Sequence, residues 1–299
     1  MALKIYVMKF HQAHFGNGYL NSSIAHFTAS RLFSALCLEA IKNNCLDEFI
    51  AEANQPDFVL SDAFPFIERP YLPKPVSYPN FDFAFESLDD NIQKQKLADS
   101  LYAVPLDEYH NFLQGTADME RFARSQANFS KTVEITKKGE DPYEVAVTYF
   151  KGSLYVIAKQ SQIVDQLMTS LQYSGLGGKR SSGYGSFELR IGNLPSDLAD
   201  CLCQENDERS EYVLLTTSFP RKEELDQVLP YAKYEIYKES GFAYSETEQE
   251  LLRKQDFYKF KAGSIFKRAY HGYIADVRPD GFDHPVYNFA KGLFYKIGG

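Results

Sequence analysis

From Gly175 to Gly185 the chain reads Gly-Leu-Gly-Gly-Lys-Arg-Ser-Ser-Gly-Tyr-Gly, five glycines around a Lys-Arg pair, and no other stretch constrains it so tightly. Glycine admits positive φ and leaves main-chain amides uncovered, so a ligand's phosphates can approach the backbone closely. Lys179 and Arg180 place charge where it could pair with them. Upstream, Ser161 to about Tyr173 has helical spacing, with Ile163, Leu167 and Leu171 on one face, joined by Val164 and Met168. Downstream, Phe187 to Ile191 alternates as a strand. The loop thus follows a helix and precedes a strand, which excludes two familiar phosphate loops. A Walker A motif needs Ser or Thr where this chain has Arg180, and a dinucleotide fingerprint needs Gly there and the opposite order of elements. The helix turns its C-terminus to the loop, so an anion would be held by loop amides and cations rather than by the helix dipole. A plain connector would need only Gly175 as a helix cap.

The loop sits within a recognisable order of elements. Residues 3–10 form an opening strand, and Thr28 is a plausible N-cap for a helix to about Lys42. That helix carries Leu32, Phe33, Leu36, Cys37, Ala40 and Ile41 as a wide apolar stripe and is ended by Asn43-Asn44. Five prolines at 65, 70, 73, 75 and 79 make an extended, restricted loop that no helix can enter. Residues 86–126 are acidic and weakly helical, and 59–150 as a whole reads as an insertion. Ser153 to Ala158 is a strand. With one strand supplied by the insertion, the order is the split β-α-β of a ferredoxin-like, α+β domain over residues 1–195. A polar linker over 195–210 leads to a second unit, 208–299. That unit has a strand from Tyr212, a short helix over Glu223–Leu229, and strands at 255–261 and 264–277 joined by an Ala262-Gly263 hairpin turn.

Composition limits function. Hydrophobic residues are 44% and charged residues 24% of the 299, as expected of a globular chain. No run approaches the roughly 18 apolar residues of a membrane span, and the start has no apolar signal core. The cysteines at 37, 45, 201 and 203 form no knuckle or disulfide framework. The expectation is a cytoplasmic protein with reduced thiols, no structural zinc and no bound cofactor. The net charge of −8 argues against bulk nucleic-acid affinity, yet residues 249–270 hold 6 bases against 2 acids. There Lys259, Lys261, Lys267 and Arg268 interleave with Phe257, Tyr258, Phe260, Phe266 and Tyr270. On a strand, Lys259 and Lys261 share one face, able to follow a nucleic-acid backbone while exposed aromatics stack on bases. A half-buried hairpin with solvated lysines fits the same pattern. His14 and His26 invite a general acid–base role in metal-free RNA cleavage, although a lone loop histidine is more often incidental.

Several of these pieces together resemble one family. They are the opening strand with His14-Phe-Gly, the Ser30-Arg-Leu-Phe-Ser-Ala-Leu helix, and Tyr173-Ser-Gly-Leu-Gly-Gly-Lys-Arg-Ser-Ser-Gly-Tyr-Gly-Ser-Phe-Glu-Leu. Asp62-Ala-Phe-Pro-Phe, Leu72-Pro-Lys-Pro and Lys254-Gln-Asp-Phe-Tyr-Lys-Phe-Lys-Ala-Gly-Ser extend the likeness essentially end to end. The chain resembles the RAMP superfamily of CRISPR proteins, and within it the Cas-five group that supplies the fourth subunit of type III-A (Csm) effectors. The resemblance implies two RRM-like domains and a non-catalytic, RNA-binding part in antiviral defence. Such a subunit grips the repeat-derived 5′ tag of the crRNA and contacts the large Cas-ten-type subunit and the first backbone RAMP subunit. On the matched loop, Gly175, Gly177, Gly178, Ser181, Ser182, Gly183, Tyr184 and Gly185 would cradle the tag, with Lys179 and Arg180 on its phosphates. His14 falls in the family's opening motif, and Lys259, Lys261, Lys267 and Arg268 complete the expected RNA-binding set. A metal-independent endoribonuclease that processes guide RNA is the rival, since some members of the group do this.

Overall fold

The computed structural model describes residues 2–16, 18–79, 88–137, 143–202, 206–207, 209–243 and 252–298. Asn17, Cys203 and the first residues of the expected acidic helical stretch lie outside the described residues. The chain opens with strands β1 (Leu3–Phe10) and β2 (Gln12–Ala13), then helices α1 (Ala29–Lys42) and α2 (Leu46–Ala53). Next come β3 (Phe64–Ile67), β4 (Arg69–Pro73), α3 (Leu88–Ser100), β5 (Ala103–Pro105), α4 (Tyr109–Leu113) and α5 (Met119–Phe129). A hairpin of β6 (Ser130–Lys137) and β7 (Tyr143–Phe150) precedes β8 (Ser153–Lys159), α6 (Gln162–Ser174) and β9 (Phe187–Asn193). After α7 (Ser196–Ala199) follow β10 (Glu211–Leu214), α8 (Lys222–Val228), β11 (Ile236–Glu239) and β12 (Phe257–Phe260). The last strands are β13 (Ile265–Phe266), β14 (Gly272–Asp276), β15 (Tyr287–Lys291) and β16 (Phe294–Ile297).

A six-stranded antiparallel sheet in the order β5-β4-β3-β8-β1-β9 organises the first half. Because side chains alternate along a strand, β1 serves two cores at once. Tyr6, Met8 and Phe10, with Leu154, Val156 and Ala158 of β8, face α1 and α6. Ile5, Val7, Tyr155 and Ile157 face the other way, onto Val213, Leu215, Ile265, Leu293 and Ile297 of the second half. Strand β3 comes from the insertion, and the sheet runs β9-β1-β8-β3 from its other edge, with α1 and α6 packed on one face. The proline segment is a loop only over residues 74–79. Residues 64–73 form the β3–β4 hairpin, where short strands near the sheet edge tolerate prolines that cannot donate to a ladder.

Helix α1 buries Leu32, Phe33, Leu36 and Ala40, while Ile41 is exposed, so its apolar stripe is narrower than its composition suggests. Thr28 stands at the N-cap in extended conformation without a side-chain cap bond. The buried carboxylate of Asp62 takes over that role: Oδ1 accepts from Ala29 N at 2.8 Å and Oδ2 from Thr217 Oγ1 at 2.6 Å. One side chain therefore caps α1 and ties it to the second half.

The second half departs further from expectation. Its three-stranded sheet has the order β13-β10-β16, and β11–β12 and β14–β15 form two separate ribbons. Ala262-Gly263 does not close a hairpin, because β12 pairs with β11 and β13 with β10. Gly263 instead lies against the insertion, where its oxygen accepts from Val76 N at 2.9 Å. The expected strand over 264–277 is broken into β13 and β14. Between β13 and β16 the chain forms the β14–β15 hairpin where a second crossover helix would stand. Phe289 of β15 packs on Phe33 and Phe58, at 5.3 and 6.0 Å between ring centroids, so the two halves share their cores.

Candidate nucleic-acid interface

The glycine loop is closed at its base and open at its tip. Ser161 caps α6, accepting from Val164 N, and Gly175 ends the helix by donating to Leu171 O at 2.8 Å. Leu176 N donates to Gly185 O at 2.8 Å and Gly185 N to Gln12 O at 2.9 Å, which draws the two ends of the loop together against β2. At Gly185 φ is +86°, and a Cβ there would lie 2.1 Å from Leu176 O, so only glycine permits the closure. Beyond this buckle, Gly178 N donates to His14 O at 2.9 Å. Lys179 then takes a left-handed φ of 57°, residues Arg180–Ser182 make a single 3-10 turn, and Gly183 turns back with nothing near it. Arg180, Ser181, Ser182 and Gly183 are exposed.

Two corrections follow. The loop is not bare along its whole length: Gly175, Tyr184 and Gly185 are buried. The Tyr184 ring packs on Val145 and Val147 of β7, so it supports the loop from beneath. His14 is buried too. Its Nδ1 donates to Ala146 O at 2.7 Å, which turns the ring under Gly16 and Gly178. Around the tip the structure supplies aromatic surface instead. Lys179 Nζ lies 4.6 Å from the centroid of the half-exposed Tyr143 ring, and Tyr19 and Tyr173 are 75% and 81% exposed. Tyr143 does not stand out in the sequence, because its place against Lys179 depends on the β6–β7 hairpin meeting the loop.

The basic segment does not form a free cationic stripe. Lys259 is fully buried; its Nζ donates to Glu239 Oε2 at 2.6 Å, Asn288 Oδ1 at 3.0 Å and Ser30 Oγ at 3.2 Å. A lysine so placed cannot reach a nucleic-acid backbone. Phe260, Phe266 and Tyr270 are core residues packed with Phe294, leaving Tyr258 as the exposed aromatic of β12. Lys261 pairs with Glu235 at 2.9 Å and Lys267 with Glu211 at 3.2 Å, while Arg268 is exposed. His26 stacks on Tyr102 with centroids 5.9 Å apart, and burial, with Lys261 and Arg31 nearby, pushes its pKa down to about 4.

Beneath the loop lies a cavity of about 380 Å³, walled by residues 175–178, His14, Gly16, Arg180 and one face of α1: Arg31, Ser34, Ala35 and Leu38. No carboxylate lines it. Arg31 is the residue that sequence reading missed; it sits in an amphipathic helix, where a lone arginine reads as a solvated side chain. Among the described residues no three His, Cys, Asp or Glu side chains gather as metal ligands, and no helix is long and apolar enough to cross a membrane.

Residues 207–297 match the family model of the CRISPR Csm4 C-terminal domain. Over 99% of both chains, the sequence is 45% identical to the Streptococcus thermophilus protein "CRISPR system Cms protein Csm4". It is 34% identical to the Mycobacterium tuberculosis protein of the same name, over 99% of this chain and 98% of that one. Among solved structures, the fold is similar to a chain of a Csm3–Csm4 subcomplex from a type III-A CRISPR-Cas interference complex. That match has a TM-score of 0.67 at 18% identity and covers 99% of this chain and 100% of the other. A chain of a Csm1–Csm4 cassette in complex with pppApA matches with a TM-score of 0.58 at 15% identity, over 99% and 97% of the two chains.

Proposed function

The chain belongs to the Csm4 family of CRISPR proteins, and on that premise we propose that it anchors the repeat-derived 5′ tag of the crRNA within a type III-A Csm effector. One observation carries the reading: the tip Lys179–Gly183, exposed from Arg180 onward and raised on a hydrogen-bonded base, with the half-exposed Tyr143 ring against Lys179. Most loop amides are spent on internal hydrogen bonds, Ser182 N and Gly183 N of the tip among them. The two cations are left for phosphates and the exposed ring for an unstacked base, as in sites that hold single strands without sequence preference. Meeting RNA through one face only also reconciles RNA binding with a net charge of −8.

We further propose that the subunit is non-catalytic and bridges the large subunit to the backbone. The solved complexes of Csm4 with Csm3 and with Csm1 support the second part, as do exposed Tyr231, Ile236, Phe242 and Tyr258 on the second half. Two observations support the first. The His14 ring is buried and held by Ala146, and the His26 ring is half-buried and stacked on Tyr102. The division into units of 1–195 and 208–299 is supported by the family match over the second, and a ferredoxin-like plan only for the first, by its strand order.

The test is a reconstituted complex carrying Lys179→Glu with Arg180→Glu. Guide retention should fall, and each lost phosphate contact should flatten the log–log salt dependence by about 0.7 for single-stranded RNA. Unchanged retention with an unchanged slope rejects the loop assignment. Site-specific cleavage of repeat RNA by the purified chain, lost in His14→Ala or His26→Ala, would favour the endoribonuclease instead.

A further inference from the structure

Arg31 lies in the first turn of α1 and forms part of the wall of the cavity under the loop. Its Nη2 donates to Gly16 O at 2.7 Å, but its Nη1 is buried with no acceptor, the only such side-chain atom among the described residues. The other buried cations are answered. Lys259 has Glu239 and Asn288, and Lys291 has the carbonyls of Ala53 and Gln55 at the end of α2. Glu239 lends Arg31 some negative field, yet its carboxylate oxygens already accept from Ser30, Lys254 and Lys259. Burying a guanidinium with an open donor and no paired carboxylate is costly, and an anion is what removes that cost.

The rest of the wall suits an anion. Arg180 stands exposed at the rim, and the Ser34 hydroxyl and Gly178 amide on the wall already donate to Ser30 O and His14 O, so the two arginines are what an anion would meet. In a chain with more acids than bases, a cavity whose only formal charges are two arginines is unlike the surface around it. The planar guanidinium fork is matched to phosphate oxygens. We propose that this cavity is a phosphate seat, in which Arg31 from below and Arg180 from the rim hold one phosphate group of the bound RNA. It deepens the RNA-anchoring reading and rests on it for the natural ligand. It shares Arg180 with the tip, while Arg31, from α1 rather than the loop, belongs to the seat alone.

Full-length protein is heated with inorganic pyrophosphate or with chloride at matched ionic strength, and separately titrated with a short single-stranded RNA. Pyrophosphate should raise the Tm of the unaltered chain. Arg31→Met should abolish that rise and Arg31→Lys, which keeps charge but loses the fork, should retain part of it. Arg180→Gln, at an exposed rim position that cannot unfold the protein, should reduce it. With RNA, Arg31→Met should weaken binding about tenfold and flatten the salt slope by about 0.7. No response of the unaltered chain to pyrophosphate, or variants that respond as it does, overturns the seat. An Arg31-dependent pyrophosphate response of the chain, with guide retention by the reconstituted complex unchanged in Arg31→Met, keeps an anion seat and rejects RNA as its ligand.

Discussion

His26 illustrates how a single side chain reports its surroundings. Burial comes first among the causes that lower its pKa, with Lys261 and Arg31 adding like charge, and the result is about 4 against an ordinary 6.5. Between these values the unfolded chain binds a proton that the folded chain refuses. The stability that this neutral ring contributes is therefore present above about pH 6.5 and lost as pH falls through the window. Urea unfolding across that range should show a decline, on the order of 2 kcal/mol, that His26→Gln makes shallower. Equal slopes in the two proteins would mean that the ring is not protected from protonation. Glu239 is the opposite case. Burial raises its pKa, but Lys259 and Lys254 outweigh burial and hold it at about 2. No local pattern distinguishes Lys259 from Lys261, yet one is sealed in a network with Glu239 and Asn288 and the other pairs at the surface.

At the scale of elements, periodicity carries far. The limits of β1, α1, α6 and β9 agree with their apolar spacing to within about two residues, because each meets the core along one repeated face. Pattern fails where strands are short. Residues 64–73 form a hairpin held between distant β8 and β5, and residues 257–266 pair with β11 and β10, so prolines and an Ala-Gly pair suggest a loop and a hairpin that do not form. The glycine loop was legible in kind and not in parts. Gly185→Ala would set a Cβ 2.1 Å from Leu176 O, and should cost about 2–4 kcal/mol by opening the buckle between α6 and β9. Gly183→Ala meets nothing within 4 Å and should cost only about 1 kcal/mol of backbone strain. Comparable losses in melting experiments on the two variants would show that the base of the loop is not the structural part.

At the scale of the molecule, the halves are bound by shared core and buried polar links. The face of β1 that carries Ile5 and Val7 packs on β10, β13 and β16, and Asp62 joins α1 to Thr217 while Leu215 O accepts from Asp62 N at 2.9 Å. Asp62→Ala should therefore leave Ala29 N and Thr217 Oγ1 without their partner and lower stability by about 2–4 kcal/mol. Hydrogen exchange should record faster opening in α1 and β10 together. Loss of protection in α1 alone would mean that the halves unfold separately.

What the sequence by itself determined is whatever depends on neighbours a few residues away: the helix and strand faces of the first half, and a glycine loop that only a backbone with positive φ could follow. Tertiary structure alone decided which cations are free. Lys259 meets Ser30 across 229 positions, and Arg31 meets the loop only because α1 and α6 lie on one face of the same sheet. Burial of charge is set by partners brought together from far along the chain, and no local spacing encodes them.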